Sequence, residues 1–316
     1  MKQHLLAIRL GCGAALLVVL TACGLSRAEP ARPSGAPAPT AAPQPQESAP
    51  TTQPPAGFTE STAAVQVVLD YYIAIAQKQY DQAYSLWAQN GAASGQTRSE
   101  FEQGYANTAG LSVLLDRATV SGDALTVPIT IPSVLNRSDQ TQRPQRFTGT
   151  YTLRQEAGGW RIASAKIAEG DAAAEPPAST GDALRVVQAY YEAIDAGNYP
   201  RAYTYWERNG TASQQSYTVF VQGFASTDSV TLATGQAQTN AAAGSVYTEV
   251  PVVVFPQQRD GSRQPFCGTY RLRRANASPF DTFGWRINSA ATFQTPNVEP
   301  GSDTVRRLLN GGCAAR

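Results

Sequence analysis

Residues able to perform acid–base chemistry are few in this sequence. The single histidine, His4, lies near the start of the chain. Asp70 lies off the apolar face of a predicted helix, where we expect a solvated charge. Glu192 has no acidic counterpart at the equivalent position of the related segment described below. Asp116 and Glu249 are better candidates for a buried acid, but neither has a recognisable partner. General acid–base catalysis needs a positioned proton donor or acceptor, so we predict no catalytic residue.

Sequence motifs for other chemistries are also missing. No Cys or His pair has metal-ligand spacing, and the carboxylates do not form a calcium loop. There is no glycine-rich phosphate loop and no nucleophile elbow. A formal net charge of +1 without a basic stripe argues against nucleic acid. We expect no metal, no cofactor and no nucleic-acid partner.

The N-terminal segment has the pattern of an export signal. Lys2 and Arg9 precede the apolar run 10–22, which is shorter than the about 20 residues needed to span a bilayer. Leu20 to Cys23, LTAC, resembles the lipobox of bacterial lipoproteins. The resemblance implies a signal peptide over 1–22 and a diacylglyceryl group on Cys23, with palmitate-type chains holding the protein on the extracytoplasmic side of the cell membrane or outer membrane. An ordinary secretory signal or an uncleaved anchor is the alternative.

Residues 23–58 have the composition of a disordered spacer. Nine of the 21 prolines lie between Pro30 and Pro55, among Ala, Gln, Ser and Thr. Such a segment cannot bury enough apolar surface to offset the entropy of ordering it. We predict that this segment holds the folded part of the protein away from the membrane. The alternative is that it contains Pro-rich ligand motifs that partner domains bind.

The rest of the chain contains an internal repeat. YDQAYSLWAQNG, from Tyr80, recurs as YPRAYTYWERNG, from Tyr199, at an offset of 119 positions (199 − 80). The same offset aligns GTY, from Gly149, with GTY, from Gly268. WRI matches at an offset of 125, which places six extra residues (125 − 119) in the loop around 276–282. We infer a tandem duplication.

Each copy predicts helices first and strands afterwards. Apolar residues at helical spacing surround Tyr72 and Tyr191, and two shorter helical segments follow in each copy. The period then changes to two, and strands are predicted over Leu111–Val120, Ala124–Ile131, Gln145–Gln155 and Trp160–Ile167, with counterparts Val230–Gln238, Ser245–Phe255, Gln264–Arg273 and Gly284–Thr292. Helices followed by an antiparallel meander indicate an α+β domain, with helices on one face of the sheet.

This order of elements resembles the NTF2-like, or cystatin-like, fold. The resemblance implies two tandem domains, 59–168 and 180–293, joined by a linker over 169–179. In that fold a cone lies between sheet and helices, and isomerase and dehydratase relatives use Asp, His or Tyr in it for acid–base work. This chain would lose its only histidine with the signal peptide.

The aromatic residues of the repeat can be interpreted in two ways. They could line a ligand pocket in each cone, or they could simply fill the core, because they lie on the faces that must pack. A buried tyrosine hydroxyl needs a polar partner or a wet pocket. The candidate pocket-lining residues are Tyr72, Trp87, Tyr105 and Tyr151 in the first copy and Tyr191, Trp206, Phe224 and Tyr270 in the second.

Two cysteines remain after the export segment, Cys267 and Cys313. In an exported chain we expect them to form a disulfide, with free thiols as the alternative. The bond would pin the C-terminal tail, 294–316, onto the second domain, either over the sheet or across the mouth of the cone. Within the tail, 302–309 has the pattern of a short capped helix.

The sequence therefore favours a membrane-anchored lipoprotein that binds an envelope protein or a small apolar molecule without transforming it. A purely structural envelope scaffold, with both domains filled by their aromatic residues, is the second hypothesis. An enzyme of the NTF2-like isomerase or dehydratase type is the third.

Overall fold

The structure is a computed structural model that describes residues 56–170, 182–296 and 298–313. The predicted signal peptide, Cys23, nearly all of the spacer and most of the linker lie outside these residues. None of the described helices combines the length and apolar character needed to cross a bilayer.

The first half of the described chain consists of helices followed by an antiparallel sheet. Its helices are α1 (Ala56–Ala76), α2 (Tyr80–Ser85) and α3 (Arg98–Tyr105), with a 3-10 turn at Gln89–Ser94. Its strands are β1 (Thr108–Leu111), β2 (Leu114–Leu115), β3 (Thr119–Ser121), β4 (Ala124–Asn136), β5 (Gln142–Glu156) and β6 (Gly159–Glu169). The sheet order is β1-β4-β5-β6, and β2 and β3 pair along β4. The strand predicted over Leu111–Val120 is thus three short strands on one partner.

The second half repeats this arrangement. Its helices are α4 (Ala183–Asp195), α5 (Tyr199–Thr204) and α6 (Tyr217–Gln222), with a 3-10 turn at Thr211–Ser213. Its strands are β7 (Thr227–Thr234), β8 (Gln238–Ala242), β9 (Ser245–Gln258), β10 (Phe266–Ala275) and β11 (Arg286–Gln294), with a 3-10 turn at Phe280–Phe283 and a final helix α7 (Asp303–Gly311). The sheet order is β11-β10-β9-β7, and β8 pairs with β9. The predicted fold class, α+β with three helices on an antiparallel sheet in each of two tandem domains, is confirmed.

The repeated Asn-Gly dipeptide ends a turn that passes under a tyrosine ring. Gly91 and Gly210 both have φ of 98°. A Cβ on Gly91 would lie 2.0 Å from the Tyr84 ring, and a Cβ on Gly210 would lie 1.9 Å from the Tyr203 ring. The tyrosine hydroxyls then donate to backbone carbonyls twelve residues further along. Glycine recurs because both the conformation and the space exclude a side chain.

The repeated tryptophan lies where the helices join the sheet. Ile162 exchanges backbone hydrogen bonds of 2.9 Å with the residues on either side of Trp87, and Ile287 does the same around Trp206. The end of the second helix is therefore tied to the last strand in each domain.

Both sheets bend at equivalent places. The pairing of β5 with β6 shifts register between Thr152 and Leu153, and that of β10 with β11 shifts between Arg271 and Leu272. A bulge of this kind bends the strand and increases its twist. The curvature gives each domain a concave inner face toward its helices.

The two domains pack against each other. Asn209, 3% exposed, accepts from the Val113 N–H at 3.1 Å through its side-chain oxygen. Thr204 Oγ1 accepts from the Leu115 N–H at 3.1 Å, so residues at and beside β2 are held by the second domain. Asp116 accepts from Arg201 at 2.6 Å and from Asn198 at 2.5 Å. These contacts fix the relative orientation of the domains.

A disulfide joins Cys267 to Cys313 and closes a sequence separation of 46. Helix α7, capped by the Ser302 side chain, buries Val305 against Val253 and Phe255 on the sheet. These sheet residues form a small cluster separate from the main core. The described part of the tail therefore packs on the outer face of the second sheet, and none of its described residues lines the cavity of the cone.

Candidate functional site

The cone of the first domain contains a cavity of about 440 Å³. Helices α1 and α3, the turn after α2 and the inner face of the sheet form its walls. The four residues predicted to line a pocket here, Tyr72, Trp87, Tyr105 and Tyr151, all do so. The other lining residues are Tyr71, Ser94, Gln96, Phe101, Gly104, Thr108, Leu111, Ile131, Ser133, Leu135, Gln145, Phe147 and Ile167.

The polar groups deep in this cavity are tyrosine hydroxyls bonded in pairs. Tyr72 Oη lies 2.8 Å from Tyr151 Oη, and Tyr71 Oη lies 2.6 Å from Tyr105 Oη. Burial, above all, raises the pKa of all four hydroxyls. They are therefore neutral at physiological pH and can donate or accept a hydrogen bond without acting as charged bases.

The cone of the second domain is nearly filled. Its cavity measures about 60 Å³, room for only a few water molecules at about 10–15 Å³ each. The predicted residues Tyr191, Trp206, Phe224 and Tyr270 all line it, and Tyr191 Oη lies 2.7 Å from Tyr270 Oη. By repeat offset and strand register, every residue lining this cavity corresponds to one lining the first.

The third helices of the two domains pack differently. Helix α6 packs against α1 of the first domain and buries Tyr217 and Val221 to 3% and 1% exposure. The corresponding positions of α3 are Arg98 and Glu102, which form an ion pair of 3.0 Å at the surface. The domain with the smaller cavity is therefore the one whose third helix is buried against its neighbour.

The carboxylates considered from the sequence lie outside both cones. Asp116 pairs with Arg201 at the domain interface; burial by itself would raise its pKa, but hydrogen bonds from Arg201, the Arg117 N–H and Asn198 lower it. Glu249 is exposed. Among the described residues, no carboxylate lines either cavity.

Asp70 departs from its predicted solvated state. It is half-buried and accepts from Gln66 Nε2 at 2.8 Å, and burial raises its pKa more than that hydrogen bond lowers it. Its charge also acts on Tyr203 of the second domain, whose pKa is raised to about 12 mainly by burial. The prediction was wrong because the outer face of α1 contacts the second domain, which the periodicity of a single helix cannot show.

The described part of the chain contains no group of three or more His, Cys, Asp or Glu side chains arranged to hold a metal ion. Sequence reasoning found the aromatic lining but missed the polar residues of the rim, Ser94 and Gln96, and the unequal volumes. The repeat could have indicated the rim, because Ser213 and Gln215 recur at the offset of 119.

Comparison with known proteins gives structural likenesses only. No protein-family model and no curated protein matches the chain. A protein of the NTF2-like family from Streptomyces avermitilis, described as a proposed dehydratase, is 20% identical over 34% of this chain and 95% of its own, with a TM-score of 0.28.

Two solved structures from Novosphingobium aromaticivorans are also similar to part of the chain. One is an NTF2-like protein with a cystatin-like fold, 16% identical over 37% of this chain and 85% of its own, with a TM-score of 0.29. The other, described as a proposed aromatic ring hydroxylase, is 14% identical over 37% of this chain and 96% of its own, with a TM-score of 0.29.

Proposed function

We propose that this protein is a membrane-anchored extracytoplasmic lipoprotein whose first domain binds a small, neutral, largely apolar molecule without transforming it. The observation that carries the proposal is the cavity of about 440 Å³ in the first cone. Its volume falls within the about 300–1,000 Å³ of small-molecule sites, which are mostly apolar with a few placed polar groups.

The wall chemistry supports a neutral ligand. Aromatic rings of Tyr71, Trp87 and Phe101 and aliphatic side chains surround the space. The tyrosine hydroxyls are protonated, and no ionisable side chain other than tyrosine lines the cavity among the described residues. A charged ligand would lose its hydration without gaining a counter-charge, which costs several kcal/mol. An aromatic or alicyclic body with one or two hydrogen-bonding groups fits best.

The second domain has a supporting role in this proposal. Its cavity of about 60 Å³ is too small for such a ligand. The domain instead encloses the β2 region of the first domain through Asn209 and Thr204. This filled cone is the feature that favours a scaffold function, which we assign to the second domain alone.

The binding proposal is tested with the neutral fluorophore N-phenyl-1-naphthylamine. Ser133 lines the cavity and is 7% exposed, so its small side chain faces the enclosed space. We expect Ser133→Trp to fill the cavity and abolish the fluorescence increase that wild-type protein produces, while Ser133→Ala keeps it. Equal fluorescence with Ser133→Trp and wild type, or none with wild type, would refute binding in this cone.

The membrane anchor is tested separately by metabolic labelling with radioactive palmitate. We expect label in the wild-type chain and in Cys12→Ser, and loss of label in Cys23→Ser, because the proposed diacylglyceryl group needs the Cys23 thiol. Label that persists in Cys23→Ser contradicts lipidation at this residue without bearing on the cavity.

A further inference from the structure

A cleft of about 550 Å³ lies between the two domains and shares one lining residue, Leu111, with the first cone. The first domain contributes the end of α1 and residues at and after β1, and the second contributes the Asn-Gly turn, the end of β10 and the start of β11. Four arginines line it: Arg208, Arg273, Arg274 and Arg286. The one acidic residue among its described lining is Glu207.

Arg286 is the unusual member of this set. It is 4% exposed, and its Nη1 donates to the Trp285 carbonyl oxygen at 3.0 Å. Its Nε and Nη2 are buried and have no hydrogen-bond partner among the described residues. Burial lowers its pKa to about 10, with Arg201 adding to the shift and Tyr205 and Glu207 opposing it. The guanidinium therefore remains charged at neutral pH.

The nearby carboxylate, that of Glu207, already accepts hydrogen bonds from side chains other than Arg286. Glu207 Oε1 accepts from Arg273 Nη1 at 3.1 Å, and Glu207 Oε2 accepts from Asn288 Nδ2 at 2.7 Å. Arg274 lies with its guanidinium carbon 5.3 Å from the centre of the Trp285 ring, and its buried Nε also has no partner among the described residues. A buried, unneutralised cation costs several kcal/mol unless something compensates it.

The remaining wall of the cleft is apolar. Phe280 and Phe283 come from the loop that contains the six extra residues of the second copy. Both rings approach Gly110 of the first domain, and a Cβ placed on Gly110 would lie 3.4 Å from each of them. Ile73 and Leu111 complete this wall. The cleft thus combines cationic hydrogen-bond donors with aromatic and aliphatic surface.

We propose that this interdomain cleft binds a small organic anion, with its carboxylate or phosphate group on Arg286 and Arg274 and its apolar body against Phe280 and Phe283. Guanidinium groups bind such planar or tetrahedral oxyanions through paired, charge-assisted hydrogen bonds. Nε and Nη2 of Arg286 lack partners but are closed to solvent, so an oxyanion would bond to them only after the side chain shifts toward the cleft. The occupant needs both parts, an oxyanion group and an apolar body.

The repeat supplies a matched control for Arg286. Arg161 holds the equivalent place in the first domain, and its Nη1 donates to the Trp160 carbonyl oxygen at 2.8 Å. It is half-buried, and no second arginine is among the described residues that line the depression beside it. Replacing Arg161 removes the same side chain in the same local geometry without touching the cleft.

The test is calorimetric titration of the full chain with benzoate, phenyl phosphate and neutral benzamide at low salt. We expect saturable binding of at least one anion, weakened tenfold or more in Arg286→Met and by added salt, but unchanged in Arg161→Met. Benzamide should bind at least tenfold more weakly than the anion. The variant Ser133→Trp, with its first cone filled, should keep anion binding, which separates this site from the proposed apolar one.

Folding of the variant is the second readout. Because Arg286 is a buried charge without a carboxylate partner, Arg286→Met should have a melting temperature equal to or above that of the ligand-free wild type. If it does not fold, the double variant Arg208→Met/Arg274→Met replaces it, with the same tenfold loss expected. Anion affinity equal to that of wild type in the cleft variant, or the absence of saturable anion binding by wild type, would overturn the proposal.

Discussion

At the residue scale, Asn90 and Asn209 occupy the same position in the repeat but have different partners. Both adopt positive φ, 54° and 56°, ahead of a glycine that passes under a tyrosine ring. Asn90 is exposed, whereas Asn209 is buried and holds the Val113 N–H, with its amide nitrogen 3.5 Å from the Tyr72 carbonyl oxygen. The turn explains why Asn recurs, and the domain interface gives the second Asn a further role.

Substitution of these two residues by glycine separates the two roles, because glycine tolerates positive φ. We expect Asn209→Gly to lower the free energy of unfolding by about 1–3 kcal/mol, since it leaves the buried Val113 N–H without an acceptor. Asn90→Gly should change it by no more than about 0.5 kcal/mol, as for other surface positions. Urea denaturation measures both values, and equal effects would contradict the interface role of Asn209.

At the element scale, α7 has no counterpart among the described residues of the first domain. It packs on Val253, Phe255 and Cys267 of the second sheet. The register of the strands places Thr130, Pro132 and Thr148 at the equivalent positions of the first sheet. The outer face of the sheet is therefore more apolar in the second domain, where α7 covers it. The disulfide holds the end of α7 to this sheet.

Removal of the disulfide should lower stability. We expect the double variant Cys267→Ser/Cys313→Ser to lose up to about 4 kcal/mol of unfolding free energy, because the loop of 46 residues regains entropy in the unfolded chain. Urea denaturation with and without reductant provides the measurement. Reductant should lower the stability of the wild type and leave the double variant unchanged; a wild type insensitive to reductant contradicts the role assigned to the bond.

At the scale of the whole molecule, the two domains meet through a helix–helix contact and an ion pair. Helix α1 of the first domain packs on α6 of the second, and the Asp116 carboxylate pairs with Arg201 across the boundary. The side chain of Asp116 is 43% exposed, so solvent screens the pair and reduces its contribution to stability. The two cones differ in volume, about 440 Å³ in the first domain and about 60 Å³ in the second.

The Asp116 pair predicts a pH dependence. The pKa of Asp116 is lowered in the folded state, since hydrogen bonds from Arg201, Arg117 and Asn198 outweigh the opposing effect of burial. Its stabilisation is therefore present above the unfolded pKa of about 3.9 and is lost as pH falls below that value. We expect Asp116→Asn to lose less stability than wild type between pH 6 and pH 3, as measured by thermal unfolding. Identical pH profiles would contradict this contribution.

The local patterns of the sequence were sufficient for the order of elements, the duplication, the fold class and the cysteine pair. Helical and strand periodicities are encoded by neighbouring residues, and a repeat can be read directly from matching positions. The aromatic wall of each cone followed from the same patterns. Element ends were less certain, as the division of one expected strand into β1, β2 and β3 shows.

Tertiary packing alone decided the properties on which the proposals depend. Equivalent residues line cavities of about 440 and 60 Å³, and the same Trp-Arg-Ile segment gives a half-buried Arg161 and a buried Arg286. Cavity volume and burial depend on contacts between residues that are far apart in the chain, here between α1 and α6 and between the extra loop and Gly110. Two copies with similar local sequence therefore differ at the places where the domains meet, because those contacts are not encoded by neighbouring residues.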